Sequence, residues 1–316
     1  MSAPAPLVRL LSGEPDPIRK PWPIGRSAAD TRNRPAMHTA STISPMRIFL
    51  LALLTLTAFA QSANTLTPGE KRAGWILLFD GTSFEGWVDP NLKNPPAHAW
   101  TVIDGCIKSV PHAATREDLM STAKFRDFEM TFEWRVAPGA NSGVKYRIQD
   151  VVLMDRAKVR RELPFEQQVE FEYQNRPSKR ETVGPGGGYE EYPVAFEYQV
   201  IDSAHHPDAL RGARYRAGAL YSMSPVTQIA DRPAGEWNSS RIVVQGKRVE
   251  HWLNGVKVVE TRLDAPEVRE SIEKRWHAAP GIRKLLLEQP VAESPVALQH
   301  HVDEAWYRNI KIRRLE

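Results

Sequence analysis

The stretch FEYQVID, Phe196 to Asp202, governs how this chain reads. Alternate side chains of a strand point to opposite faces of its sheet. Phe196, Tyr198 and Val200 then face a core, while Glu197 and Gln199 share the other face. Polar groups set between aromatic and β-branched neighbours predict a sheet whose second face grips something polar.

Outward from that segment, short apolar or alternating runs recur between Gly, Pro, Asn and Asp. Candidate strands are WILLF (75–79), WTVID (100–104), FEMTFEWRV (128–136), SGVKYRI (142–148), AFEYQVI (195–201) and AGALYSM (217–223). NSSRIVVQG (238–246), RVEHWLNG (248–255), VALQH (296–300) and AWYRNIKIRRL (305–315) continue the series. Asn254-Gly255 can take the positive φ angles of a tight hairpin turn. Many short strands at regular spacing predict an all-β sandwich or barrel. A short helix is expected within 262–279. Residues 151–195 break the rhythm, and their Gly-Pro-Gly-Gly-Gly run does not suit a sheet interior. That segment reads as an insertion, either a lid beside the binding face or a surface excursion. FEYQ also occurs at 171–174, where it runs into Asn-Arg-Pro, a turn.

The N-terminal part reads as something other than fold. Met46-Arg47 opens the apolar run IFLLALLTLTAFA, and the pattern over 46–63 is that of a secretory signal peptide. The run is shorter than the ~20 residues of a comfortable membrane span. Residues 1–45 read as a mis-assigned start or a disordered extension. The expected domain is then a single one, 64–316, in an exported protein, secreted or periplasmic, with no stable membrane insertion after cleavage. Charge agrees: residues 1–45 hold six Arg and Lys against three acids, and with Arg47 they account for the whole formal +4. A neutral remainder argues against nucleic-acid binding, which needs a basic face on the folded domain. Cys106 is the single cysteine, so no internal disulfide forms; it reads as a core residue. A mature chain of about 250 residues buries a full core without such staples.

Periodicity also proposes a site. Asn141, Gly143, Lys145 and Arg147 share one strand face, Glu197 and Gln199 another, and Gln299 and His301 a third. Pooling Arg147, Glu197, Gln199, Gln299 and His301 on one concave surface gives a polar cradle with hydrogen-bonding groups, an acid/base pair and a cation. Glu197 has a bland alternative, a cross-sheet ion pair with Arg147. Trp252 is either core or a stacking platform for a ligand ring. His251 reads as a packed strand histidine. Asp202, His205, His206 and Asp208 match no zinc spacing; a calcium ion on Asp202 and backbone oxygens is the metal alternative to a solvated loop. No phosphate loop and no Gly-x-Ser-x-Gly elbow is present.

The order of the motifs adds a resemblance. GWILLFDGTSFEGW (74–87), the WTVIDG run (100–105), FEMTFEWRVAPGANSGVKYR (128–147) and FEYQVID come in that order. AGALY (217–221), GEWN (235–238), VEHWLNG (249–255), LQHH (298–301) and YRNIKI (307–312) follow. Over nearly all of 70–316 this series resembles the 3-keto-disaccharide hydrolase domain family. The resemblance implies a concanavalin A-like jelly-roll β-sandwich of two antiparallel sheets, acting on sugars already oxidised at C3 and needing no organic cofactor. It leaves open a non-catalytic, lectin-like carbohydrate-binding domain. A C3 ketone acidifies the C2 hydrogen, so a base can form an enolate and expel the C1 group; water addition completes a net hydrolysis. Glu197 or His301 would be the base, the other would assist the leaving group, and Arg147 or Lys145 would stabilise the oxyanion. Lys145, Gln199, Gln299, Asn141 and Trp252 would hold the sugar.

Overall fold

A computed structural model describes residues 63–89, 94–113, 115–155, 162–176 and 189–316. The segment expected to be a signal peptide and the upstream residues lie outside that set, apart from Ala63. The described residues belong to one compact unit, Ala58–Glu316.

The strands are β1 (Ile76–Leu77), β2 (Trp87–Val88), β3 (Trp100–Ile103), β4 (Cys106–Ser109), β5 (Leu119–Ser121), β6 (Phe128–Val136) and β7 (Asn141–Asp155). After these come β8 (Tyr189–Ile201), β9 (Asn238–Gln245), β10 (Arg248–Leu253), β11 (Val256–Arg262), β12 (Ala297–Leu298) and β13 (Ala305–Arg314). Helices are α1 (Pro68–Arg72), α2 (Phe165–Gln174), α3 (Pro266–Arg275) and α4 (Pro280–Glu288). One antiparallel sheet runs β11-β10-β9-β6-β13-β4-β3, with β1 added on β13; the other runs β2-β5-β12-β7-β8. The two-sheet sandwich is the architecture that the resemblance implies.

Alternation builds the core between the sheets. β6 supplies Phe128, Met130, Phe132 and Trp134, and β7 and β8 supply Val144, Tyr146, Phe196, Tyr198 and Val200, all buried. Phe132 meets Tyr198 edge to face across the sandwich at 5.5 Å, and Phe128 meets Tyr146 at 6.2 Å. Buried polar tips are paired, as an apolar interior demands. The Tyr198 hydroxyl and Ser240 Oγ lie 2.8 Å apart, and Trp134 Nε1 donates to the same oxygen at 2.8 Å. His251 is fully buried: Tyr146 Oη lies 2.9 Å from its Nε2, and its Nδ1 lies 2.9 Å from the Gly218 carbonyl. Burial depresses its pKa to about 4, so it packs as a neutral ring. Cys106 is a core residue. Asn254 and Gly255 take φ of 49° and 82°, turning β10 into β11 as the Asn-Gly pair predicts.

Two expectations need correction and one is met with an addition. The 217–223 segment is not a strand. It is turn-rich and lies along the free edge of β8, where Gly218 N–H donates to Gln199 O, Gln199 N–H to Ala219 O and Tyr221 N–H to Glu197 O. The edge amides and carbonyls of β8 are thereby satisfied without a further strand. The 262–279 segment holds the expected helix, α3, but a second helix, α4, follows it. The described part of 151–195 is not a plain loop. β7 and β8 continue past the sheet as a paired extension, Asp150–Asp155 against Tyr189–Val194. The first FEYQ copy ends α2, which packs against α4: Gly281 and Ile282 N–H donate to Glu170 at 3.0 and 3.1 Å. The negative carboxylate sits at the positive helix end. Residues 156–161 and 177–188, including the glycine run, lie outside the described residues.

Candidate active site

The outer face of the five-stranded sheet carries a hollow of about 370 Å³. Asn141, Lys145, Glu197, Gln199, Gln299 and His301 all line it. Local sequence explains the arrangement. Asn141, Gly143 and Lys145 alternate on β7, and their register partners on β8 are Ile201, Gln199 and Glu197. The chain after β12 joins from the other side of β7, where Gln299 N–H donates to Gly143 O at 2.8 Å and Ser142 Oγ donates to Gln299 O at 2.7 Å.

Glu197 is the centre. Its carboxylate occupies space that a side chain at 143 would fill; a Cβ there would lie 2.3 Å from Glu197 Oε1. Gln299 Nε2 donates to Glu197 Oε2 at 3.3 Å. The Gln199 amide, turned to satisfy its neighbours, donates to Glu197 Oε1 at 3.1 Å and Ser142 O at 3.2 Å. Glu197 is half-buried by surface area but lies deep in the hollow. Desolvation lifts its pKa to about 7, against the downward pull of the Lys145 ammonium and with a push from Asp118.

Lys145 and Asp118 form a buried ion pair, Nζ to Oδ2 at 2.7 Å. Asp118 Oδ1 also accepts the His300 N–H at 3.0 Å. Burial opposes the Lys145 charge, but Asp118 and Glu197 outweigh it and hold the pKa above the ordinary range. A fixed ammonium thus stands beside a carboxyl poised to exchange a proton near neutrality. Gln299 Oε1 is buried with no hydrogen-bond partner. Such an atom marks a place where a ligand donor fits.

Two of the sequence-derived candidates lie elsewhere. Arg147 was expected on the same face as Lys145. The β7–β8 register runs from Tyr146↔Phe196 to Asp150↔Val194, so three residues of β7 oppose one of β8, and Arg147 takes φ 51°. This bulge turns Arg147 away from the hollow. Its guanidinium instead donates to Ala292 O (3.0 Å), Asp127 Oδ1 (3.0 Å) and Gly246 O (2.8 Å). The cross-sheet pair with Glu197 is therefore absent too. Trp252 is on β10 of the other sheet, with Arg241 stacked 4.2 Å over its ring and its Nε1 donating to Glu250.

Several residues that sequence reasoning missed complete the hollow. Arg275, from the last turn of α3, donates to Ser222 Oγ at 3.0 Å and Glu166 Oε1 at 3.3 Å and stacks 5.2 Å from the Tyr221 ring. Tyr221 Oη donates to Asp208 at 2.6 Å. Tyr192 brings its ring within 5.6 Å of Lys145 Nζ. Asp118 precedes a three-residue strand with no alternation to read, and Arg275 lies in a charged helix that reads as surface.

Among the described residues, one group has the make-up of a metal site: His206, His301 and Asp303 bring their ligand atoms within 4.8 Å of one another at the edge of the hollow. Two imidazoles and a carboxylate suit borderline transition metals rather than calcium, which takes oxygens. His206 Nδ1 already accepts the Asp208 N–H, and Asp303 Oδ2 accepts the Asn141 N–H. The Asp202 oxygens, considered above for calcium, accept the Gly139 and Ala204 N–H groups and contact His205. They cap the end of β8.

Comparisons with known proteins place this geometry. A 3-keto-disaccharide hydrolase of Bacteroides thetaiotaomicron (strain VPI-5482) is 30% identical over 260 residues, 77% of this chain and 79% of the relative. Two solved structures of candidate glycosyl hydrolases from Parabacteroides distasonis ATCC 8503 share the fold. One has a TM-score of 0.59 at 24% identity and covers 81% of this chain and 100% of its own. The other has a TM-score of 0.50 at 22% identity, with 76% and 99% covered. The model of the 3-keto-alpha-glucoside-1,2-lyase-like domain matches residues 74–313. The chain belongs to the 3-keto-alpha-glucoside-1,2-lyase-like domain family.

Proposed function

We propose that the protein cleaves the glycosidic bond of 3-keto-glycosides, 3-keto-disaccharides among them, with Glu197 as the general base. One observation carries this reading: a carboxyl with a pKa near 7 borders the buried ammonium of Lys145 in a hollow with unspent hydrogen-bond capacity. A base works best when its pKa lies near the working pH.

Family membership supports the substrate class, and the family's lyase-like description supports elimination as the first stage. Glu197 removes the C2 proton, and the electrons move toward the C3 oxygen as an enolate. The Lys145 ammonium faces that developing charge, the role that an oxyanion stabiliser fills. The enolate then collapses, the C1–O bond breaks, and the departing oxygen takes a proton. His301 is the group assigned to that transfer. Water adds across the resulting C1–C2 double bond, hydroxyl to C1 and hydrogen to C2, so the sum is hydrolysis. The ketone is present beforehand, so the route calls for no organic cofactor. Asn141, Gln199 and Gln299 are assigned to the sugar hydroxyls. We also propose export, with 46–63 as the signal peptide; the N-terminal sequence of the mature protein tests it. Among the described residues no helix is long and apolar enough to cross a membrane.

The test is incubation with 3-keto-trehalose and simple 3-keto-glucosides, with product detection. Release of the free alcohol or sugar is expected. Saturable binding without release would leave a carbohydrate-binding module instead.

A further inference from the structure

Arg116, Lys145 and Arg275 all line the hollow, but they differ in how far their donors are committed. Lys145 is paired with Asp118, Nζ to Oδ2 at 2.7 Å, and Arg116 Nε with Glu190 Oε1 at 2.9 Å. Arg275 is only partly committed. Its Nε donates to Glu166 Oε1 at 3.3 Å, longer than an ordinary hydrogen bond of this kind, and its Nη1 donates to Ser222 Oγ at 3.0 Å. Nη2 donates to none of the described residues. A guanidinium carries five N–H donors in one plane, so with two in use three remain. The side chain keeps 23% of its surface exposed, which leaves those donors reachable from the hollow.

The guanidinium is also held still. The Tyr221 ring centroid lies 5.2 Å from it and the Trp276 centroid 5.1 Å. Both rings are fixed in turn: Tyr221 Oη donates to Asp208 at 2.6 Å, and buried Trp276 lies 6.0 Å from Tyr192. An aromatic slot with two hydrogen bonds suits a planar arginine fork, which it pre-organises. The charge of Arg275 reaches the candidate base. Burial raises the Glu197 pKa; Lys145 on β7, Arg275 on α3 and His301 after β12 pull it down, and Asp118 before β5 pushes it up. The hydroxyls of Tyr192, Tyr221 and Tyr307 sense Glu197 as well. When Glu197 takes the C2 proton, one negative charge moves from the carboxylate to a sugar oxygen. A fixed cation that senses Glu197 and has unused donors is suited to stabilise that charge.

We infer that Arg275 is a further substrate-contacting residue, whose unused guanidinium N–H groups bind an oxygen of the 3-keto sugar and stabilise the negative charge that develops there. The inference rests on the glycoside-cleaving reading given above and deepens it. The competing role is that of a strut, in which Arg275 only ties α3 to α2 through Glu166 and to the 217–223 segment through Ser222. Three variants separate the two. Arg275→Met removes the charge and the fork, Arg275→Lys keeps the charge without the fork, and Glu166→Gln breaks the tie to α2 while leaving the guanidinium. Thermal melting checks the fold of each, beside kcat, KM and the pH profile of kcat/KM on a 3-keto-glucoside.

Arg275→Met should lose about 10²-fold or more in kcat with a smaller change in KM, the effect of a lost oxyanion donor. Its kcat/KM limb for Glu197 should move to higher pH than in the wild type, because a cation near the carboxylate is gone. Arg275→Lys should keep that limb in place and lose about tenfold in kcat, the effect of one lost hydrogen bond to a charged group. Glu166→Gln should stay within about threefold of the wild-type kcat, since a half-exposed ion pair contributes little. A loss in Glu166→Gln equal to that in Arg275→Met, or an unmoved limb in folded Arg275→Met, would leave only the strut and overturn the inference while glycoside cleavage stands. Should Arg275→Met fail to melt cooperatively, Arg275→Lys decides, and a wild-type kcat there overturns the inference. A wild-type protein that cleaves neither a 3-keto-glucoside nor 3-keto-trehalose would instead remove the cleavage reading, and this inference with it.

Discussion

Gly143 and Glu197 stand so close across β7 and β8 that the smallest side chain at 143 would overlap the carboxylate: a Cβ would fall 2.3 Å from Oε1 and 2.9 Å from Cγ. Gly143 is not in the left-handed region, so backbone strain is not the reason for glycine here. Space is. The position is kept empty by an absent side chain, and the candidate base occupies it.

Gly143→Ala should therefore fold and lose activity. The clashing atoms belong to a flexible side chain, which can swing aside at small cost to stability. A base displaced by about 1 Å loses on the order of 10²-fold in rate. The check is kcat on a 3-keto-glucoside beside the melting temperature; a wild-type rate in a folded variant would contradict the placement of Glu197.

Glu197→Gln should lower turnover by about 10²-fold or more. In the wild type, kcat/KM should rise with pH through about 7 as the carboxyl ionises, and the variant should lack that limb. Near-normal turnover in Glu197→Gln would remove Glu197 from the base role and turn attention to His301.

The same carboxyl leaves a signature in stability. Its pKa rises from 4.5 to about 7 on folding, so between those values the folded chain holds a proton that the unfolded chain has released. Its contribution is complete below pH 4.5 and is lost as pH climbs through 7. Relative to wild type, Glu197→Gln should become steadily more stable across that window and level off above it. Urea unfolding of both proteins at several pH values measures the difference; a flat difference would mean an unshifted carboxyl.

Lys145→Met strands the buried Asp118 carboxylate and should cost about 3–5 kcal/mol, the range for a broken buried pair. Adding Asp118→Leu should recover much of that stability and none of the turnover. Recovery of activity in the double variant would show that the ammonium is structural only.

Arg147→Met tests the correction made by the bulge. The guanidinium ties β7 to Asp127, Gly246 and Ala292, so the variant should lose about 1–3 kcal/mol. Its kcat/KM per folded molecule should match wild type; a selective loss of kcat would return Arg147 to the site.

Much of the fold was legible because strand information is local. The alternation in FEYQVID places Phe196, Tyr198 and Val200 in the core and Glu197 and Gln199 on the outer sheet face, and the structure agrees. Alternation fails where the register slips. Arg147 is two residues from Lys145, yet the β7 bulge separates them, and such an insertion is set by pairing with a distant strand.

By itself, the sequence pattern determined which residues alternate, where the Asn-Gly turn falls and hence an all-β sandwich or barrel, with the two-sheet choice coming from the family resemblance. Period-2 patterning and Asn-Gly chemistry act over a few residues. Only the tertiary structure decided which charged groups meet. Asp118, Tyr192 and Arg275 come from a short loop, the extended hairpin and a helix, and they share a hollow with Glu197 only because the closed sandwich brings those segments together. The raised pKa of Glu197 is likewise a property of burial beside Lys145 and Asp118, and no neighbour in the chain could have set it.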